Sequence, residues 1–179
     1  RIDPDTVSSQ SLPPPLQRFD DLAVSGGDPK PLRAACHLSL RIERNLLARA
    51  SGAAGMGLGA KEAGDLEIRD NAIVDNTVCI HLDNSPLQPD EWNSFLGNDV
   101  RGCDVGVSFQ GIAERNRFAG NRFADNGVQV RIEGGGNARA AEWRGNDWGD
   151  YTGYDLDRDG VGDLPYELRS LSGDLETRN

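Results

Sequence analysis

The sequence contains little cysteine, histidine or methionine, no long apolar run, and fewer basic than acidic residues. No apolar stretch among the 179 residues approaches the roughly 18 residues of a transmembrane helix. With 19 Lys and Arg against 29 Asp and Glu, the net charge is −10. That charge argues against nucleic acid or anionic lipid as a partner, and it suits cations or a basic protein surface. The three cysteines are an odd number, so at least one is unpaired unless an intermolecular bond forms.

One register recurs five times along the chain. A large apolar residue is followed three positions later by Asn, and a second apolar residue comes two positions after the Asn. The five sets are Ile42-Asn45-Leu47, Ile68-Asn71-Ile73, Phe95-Asn98-Val100, Phe118-Asn121-Phe123 and Trp143-Asn146-Trp148. The leading residues lie 26, 27, 23 and 25 positions apart, and a period in the twenties predicts a solenoid.

Each central period also contains a segment in which apolar and other residues alternate, as in Val78, Ile80 and Leu82. Alternation with period 2 predicts a strand with one buried face. The predicted fold is therefore an all-β, right-handed parallel β-helix of about five rungs, in which Ile80, Val107 and Val130 lie above one another. The recurring Asn residues, Asn121 among them, are expected at turns, in left-handed geometry and with stacked amides.

The two ends depart from the repeat. Residues 1–37 are predicted to be an irregular segment, either a cap or the remnant of earlier rungs. Residues 38–150 form the predicted rungs, and residues 151–179 form an acidic C-terminal cap or loop. The aromatic residues near this end are expected to cover the last rung, although exposed rings could instead bind sugars. They are Trp143, Trp148, Tyr151, Tyr154 and Tyr166. Since the chain begins with Arg1, we expect a mature form or a fragment.

A calcium loop is predicted within the C-terminal segment. Asp155, Asp157, Asp159 and Asp163 follow the pattern D-x-D-x-D-G-x-x-D, which directs carboxylates toward one centre. Oxygen ligands of this kind select Ca²⁺, although Tyr166 stands where an EF-hand loop has its bidentate Glu. The alternative is a solvated acidic turn without a metal.

The segment from Asn146 to Tyr166, NDWGDYTGYDLDRDGVGDLPY, resembles the C-terminal signature of the NosD family. The segment NRFAGNRFADNG resembles the β-helix repeats of that family, and the resemblance covers about residues 38–170. It implies a periplasmic, non-catalytic accessory protein for copper-site maturation of nitrous oxide reductase, with an ABC transporter and the copper reductase as partners. Members of the family are usually longer, which again suggests a fragment.

Soft ligands for Cu(I) are few in the sequence. They are Cys36, Cys79, Cys103, His37, His81 and Met56. Cys79 and His81 alternate outward on one predicted strand, about 7 Å apart at Cα, so they form a candidate Cu(I) site. The alternative is an ordinary surface Cys and His. Met56 is expected to point inward, which would remove it as a ligand, and Cys36-His37 is a weaker candidate pair.

Two further expectations concern chemistry at the cysteines and on the outer face. Cys79 and Cys103 lie on neighbouring rungs but three residues out of line, about 10 Å along a strand and beyond disulfide reach. A carbohydrate-binding or polysaccharide-cleaving β-helix is the alternative function. Arg131 and His81 face outward, but no carboxylate column accompanies them to complete a mechanism. The sequence therefore predicts no catalytic residue.

Overall fold

The computed structural model describes residues 39–159 and 162–168. The predictions for residues 1–37, Cys36 and His37 included, lie outside this range. The described chain is built from short strands, three to a turn, and it contains one 3₁₀ turn at Ala138–Ala140. The strands are β1 (Leu40–Glu43), β2 (Leu46–Ala48), β3 (Met56–Lys61), β4 (Leu66–Arg69), β5 (Ala72–Val74), β6 (Val78–Asp83), β7 (Asn93–Leu96), β8 (Asp99–Arg101), β9 (Val105–Gln110), β10 (Asn116–Ala119), β11 (Arg122–Ala124), β12 (Val128–Glu133), β13 (Glu142–Arg144) and β14 (Asp147–Trp148).

Every third strand pairs in parallel, which makes three sheets. Sheet A has the order β1-β4-β7-β10-β13, sheet B the order β2-β5-β8-β11-β14, and sheet C the order β3-β6-β9-β12. In sheet C, Val107 is the register partner of both Ile80 and Val130. The predicted parallel β-helix and its rung register are confirmed, with five turns in two sheets and four in the third across the described residues.

The interior is a narrow stack of apolar columns, one residue from each rung. In sheet A the column ends in rings, because Phe95 stacks on Phe118 and Phe118 on Trp143 at centroid distances of 4.5 and 4.4 Å. Phe95 and Phe118 are fully buried. Such stacked rings add to the free energy that their burial already contributes. A column only a few side chains wide explains how 37% apolar residues suffice for this fold.

The Asn residues of the repeat form a continuous ladder along one edge of this core. The backbone N–H of Asn71 donates to Asn98 Oδ1, and that of Asn98 to Asn121 Oδ1, at 3.0 and 2.9 Å. The Asn98 amide nitrogen donates to Asn121 Oδ1 and to the Ile68 carbonyl, both at 2.9 Å. Asn71, Asn98 and Asn121 are at most 2% exposed, so the ladder satisfies buried backbone groups at each turn. The predicted amide ladder is confirmed.

The left-handed residue of each turn is the one before the Asn, so the prediction that the Asn adopts this geometry was wrong. Arg44, Asp70, Gly97, Gly120 and Gly145 have φ between 53° and 63°. The backbone turns there, and the following Asn then directs its amide inward to the neighbouring rungs. Small or short polar residues at most of these positions suit the left-handed region.

Aromatic residues cover the last rung, as predicted for part of the set. Trp148 lies between Phe123 and Tyr166, with centroid distances of 4.6 and 4.2 Å. The Tyr151 hydroxyl donates to the Leu164 carbonyl at 2.7 Å, which ties the following loop to this end. Tyr154, by contrast, is 70% exposed and does not contribute to the cover. The end of the stack is thereby closed by rings instead of a further strand.

Candidate functional site

The outer face of sheet C carries His81, one of the two residues from which a copper site was predicted. Gly59, His81, Ser108 and Arg131 are register partners on successive strands and form one column of this face. His81 is half-buried. Ser108 is fully buried, and its Oγ has no hydrogen-bond partner within the described residues. Arg131 Nε lies 2.9 Å from Glu133 Oε1, in an ion pair without hydrogen-bond geometry.

Cys79 is not the accessible ligand that the sequence predicted. It is fully buried and forms a disulfide with Cys103, with Cα atoms 5.8 Å apart. The predicted separation of about 10 Å assumed straight strands, but Gly102 has φ of 68° and turns the chain just before Cys103. The prediction that the two cysteines are beyond disulfide reach was therefore wrong, and the Cys79-His81 pair cannot supply a thiolate to a metal in this state.

The disulfide occupies a gap in a second Asn column. Cys103 stands where neighbouring rungs have Asn76 and Asn126, and it accepts from the Asn76 N–H at 3.2 Å while its own N–H donates to Asn126 Oδ1 at 3.0 Å. An Asn at this position would also donate to the Ile73 carbonyl of the preceding rung. Cys79 Sγ lies 3.0 Å from that carbonyl. The cysteine pair thus fills the space of the missing amide. This pairing could not be predicted from the number of cysteines alone.

Met56 does not point into the core, so the argument that excluded it as a ligand was wrong. It keeps the predicted register with Val78, but the residue is 37% exposed, whereas Leu58 of the same strand is buried. The Met56 Sδ lies 3.4 Å from the point where a Cβ on Gly59 would stand. Since Gly59 is the register partner of His81, the thioether lies on the same patch as the imidazole.

The acidic loop brings three of its four predicted ligands together. Carboxylate oxygens of Asp155, Asp157 and Asp159 lie within 4.8 Å of one another, and all three residues are exposed. Asp163 instead accepts a hydrogen bond from the Leu156 N–H at 2.6 Å and helps to close the loop. A Ca²⁺ ion with ligand distances of about 2.3–2.6 Å could reach all three clustered oxygens.

The outer face of sheet A is covered by paired charges. Arg117 Nε donates to Glu142 Oε2 and Arg41 to Glu67 Oε2, both at 2.9 Å across neighbouring rungs. The hydrogen bond from Arg117 lowers the pKa of the Glu142 carboxyl below its ordinary value. These exposed pairs contribute little to stability. They keep the surface of sheet A polar, and because each pair joins opposite charges, they do not form a patch of one sign.

The stack of parallel rungs with short turns and a closed aromatic end places the chain among the parallel β-helix proteins. Residues 35–153 match the family model described as "Periplasmic copper-binding protein (NosD)". The chain therefore belongs to the NosD family. No solved structure matches it significantly.

Two curated relatives carry the name "Probable ABC transporter binding protein NosD". The protein from Pseudomonas aeruginosa is 40% identical over 80 residues, and that from Stutzerimonas stutzeri is 36% identical over 80 residues. Each match covers 42% of this chain and 18% of the relative. The chain therefore matches less than a fifth of the length of these proteins.

None of the described segments forms a helix with the length and apolar character needed to cross a bilayer.

Proposed function

We propose that this chain is part of a non-catalytic periplasmic accessory protein that acts beside an ABC transporter in copper-site maturation of nitrous oxide reductase. The observation that carries the proposal is the family match over residues 35–153, which spans nearly all the rungs of the β-helix. The relatives' name, an ABC transporter binding protein, supports the transporter as a partner. In this role the long, regular outer faces of the sheets serve as binding surfaces.

The buried Cys79–Cys103 disulfide supports the proposed compartment. Disulfides form and persist in the oxidising periplasm and are rare in the bacterial cytosol. The bond closes a loop with a sequence separation of 24 residues and joins neighbouring rungs. A structural bond of this kind fits a protein that works outside the inner membrane.

Copper would be the cargo of this protein, and the donor set of the chain fits Cu(I) in part. Cys79 and Cys103 are held in the disulfide, so the soft donors left in the described chain are the thioether of Met56 and the imidazole of His81. Thioether and imidazole groups are suitable ligands for Cu(I). Their shared location on the outer face of sheet C would allow copper to be received from or passed to a partner protein.

A chimera tests the proposed role. The segment of this chain that matches the Pseudomonas aeruginosa relative over 80 residues replaces its counterpart in that protein, in a strain lacking its own copy. The copper content of the reductase and its reduction of nitrous oxide are then measured. Restored copper loading is expected. A stable chimera that leaves the reductase without copper would contradict the proposal, as would robust depolymerisation of polyuronates by the purified chain, which would favour the enzyme alternative.

We also propose that the acidic loop binds Ca²⁺ through Asp155, Asp157 and Asp159. At a Ca²⁺ concentration tenfold above the dissociation constant, binding adds about 1.4 kcal/mol to stability, so millimolar Ca²⁺ should raise the melting temperature. The Asp157→Asn variant should lose this shift, whereas Asp90→Asn, an exposed residue of another loop, should keep it. An unchanged melting temperature of the wild type in Ca²⁺ would rule out the site.

A further inference from the structure

Two soft ligands, Met56 on β3 and His81 on β6, lie on neighbouring strands of sheet C. Met56 is the sole methionine of the chain and His81 one of its two histidines. The Met56 Sδ stands over Gly59, 3.4 Å from where its Cβ would be, and Gly59 pairs directly with His81. Because glycine leaves this position open, the thioether occupies space next to the imidazole column.

The separation of the two groups suits a bridging ion. Adjacent strands are about 4.8 Å apart, so the Met56 Sδ lies at most about 8 Å from the His81 Cβ. The imidazole extends from that Cβ and covers part of this distance. A metal ion bound to one nitrogen and one sulfur joins ligand atoms about 4 Å apart. The exposed, unbranched Met56 side chain has the rotational freedom that such an approach requires.

A second observation at the same place points to a ligand. Ser108, the next residue of the His81 column, is fully buried and its Oγ has no partner in the described part of the chain. Buried hydroxyl groups are rarely left without a hydrogen bond. A metal-bound histidine commonly donates its second ring N–H to a neighbouring acceptor, which fixes its orientation. Ser108 is the register partner of His81 on the next strand, so its hydroxyl is the neighbouring group that could serve as that acceptor.

We propose that Met56 and His81 form a Cu(I) transfer site on the outer face of sheet C, with Ser108 as a positioning residue for the imidazole. The proposal deepens the function proposed above and rests on it for the identity of the cargo. Imidazole and thioether ligands favour Cu(I) over harder ions such as Mg²⁺ or Ca²⁺. A half-exposed, two-residue site holds copper loosely enough for a partner's ligand to replace one of the two.

Anaerobic Cu(I) titration in competition with bicinchoninate tests the site. All proteins carry Cys36→Ser and His37→Gln, because that pair is a second source of soft ligands. The parent should bind one Cu(I), and X-ray absorption should show one sulfur and at least one nitrogen neighbour. Met56→Leu should remove the sulfur signal, His81→Gln should remove binding, and Ser108→Ala should weaken binding about tenfold. Met56→His should keep Cu(I) binding without the sulfur signal.

Two results would overturn the site: no Cu(I) binding by the parent, or unchanged affinity in the combined Met56→Leu, His81→Gln variant. Circular dichroism confirms that each variant keeps the β-helix. Since these measurements do not involve the reductase, their outcome is independent of the chimera assay. A chimera that matures the reductase despite both substitutions would leave the accessory function intact and overturn the transfer role of this pair.

Discussion

The buried Asn ladder should contribute strongly to the free energy of unfolding, and the Asn98→Ala variant tests this. The Asn98 side chain accepts from the N–H and from the amide of Asn71, both at 3.0 Å, and it donates to Ile68 and Asn121, both at 2.9 Å. The residue is 1% exposed, so water cannot replace these partners. Alanine leaves two donors of Asn71 and the Ile68 carbonyl buried without their hydrogen bonds.

The cost follows from these unpaired groups. A buried donor or acceptor that loses its partner costs about 1–3 kcal/mol, so Asn98→Ala should lower the free energy of unfolding by about 4 kcal/mol after partial relaxation of the turn. That loss is a large part of the roughly 5–15 kcal/mol by which a domain is stable. Equilibrium urea unfolding, followed by circular dichroism, measures it.

The same substitution at Asn45, the first Asn of the ladder within the described residues, is the control. Asn45 is exposed, and its amide donates to the Glu43 carbonyl and to Asn71 Oδ1. In the alanine variant Asn71 Oδ1 keeps its hydrogen bond from the backbone N–H of residue 45. Asn45→Ala should cost less than about 1 kcal/mol. If the two variants unfold at the same urea concentration, the buried hydrogen bonds of the interior ladder do not stabilise the fold.

Two other predictions concern the disulfide and the surface charges. Replacing Cys79 and Cys103 by Ala should cost about 3 kcal/mol. Replacing Cys79 by Ala and Cys103 by Asn should cost less, since Asn restores the column; equal urea midpoints would argue against this. In Arg117→Gln, the pKa of Glu142 should rise toward its ordinary value, because the Arg117 hydrogen bond that lowers it is gone. With the folded pKa depressed, the pair stabilises the wild type at neutral pH, and this contribution is lost as pH falls through that pKa. NMR titration of the Glu142 carboxyl would show an unchanged pKa if the contact is absent in solution.

The fold was readable from the sequence because a β-helix repeats its constraints. Each rung buries the same positions, so the period of Ile42, Ile68 and Phe95 defined the register that the strands adopt. The cysteine geometry was not readable, since it depends on how sharply the chain turns at Gly102. Strand spacing applies along straight segments, whereas Cys79 and Cys103 face each other across a corner.

The candidate site was partly predictable for a related reason. His81 was identified correctly as an outward residue of its strand, because alternation fixes the face of every residue inside a regular sheet. The same rule failed for Met56, which lies on the first strand of sheet C. A long, unbranched side chain such as that of Met56 adapts to its surroundings and is not confined to the face that its position indicates.

The proposed metal ligands lie outside the parts of the molecule that stabilise the fold. The free energy of the fold comes from the buried columns and the Asn ladders, whereas Met56, His81 and the Asp157 loop lie outside them. Their substitutions should leave the urea midpoint in metal-free buffer within about 0.5 kcal/mol of the wild type. Loss of copper or calcium binding in such variants would then report on the ligands themselves. A destabilised Met56→Leu or His81→Gln protein would mean that this patch contributes to packing, and the transfer site would lose its structural basis.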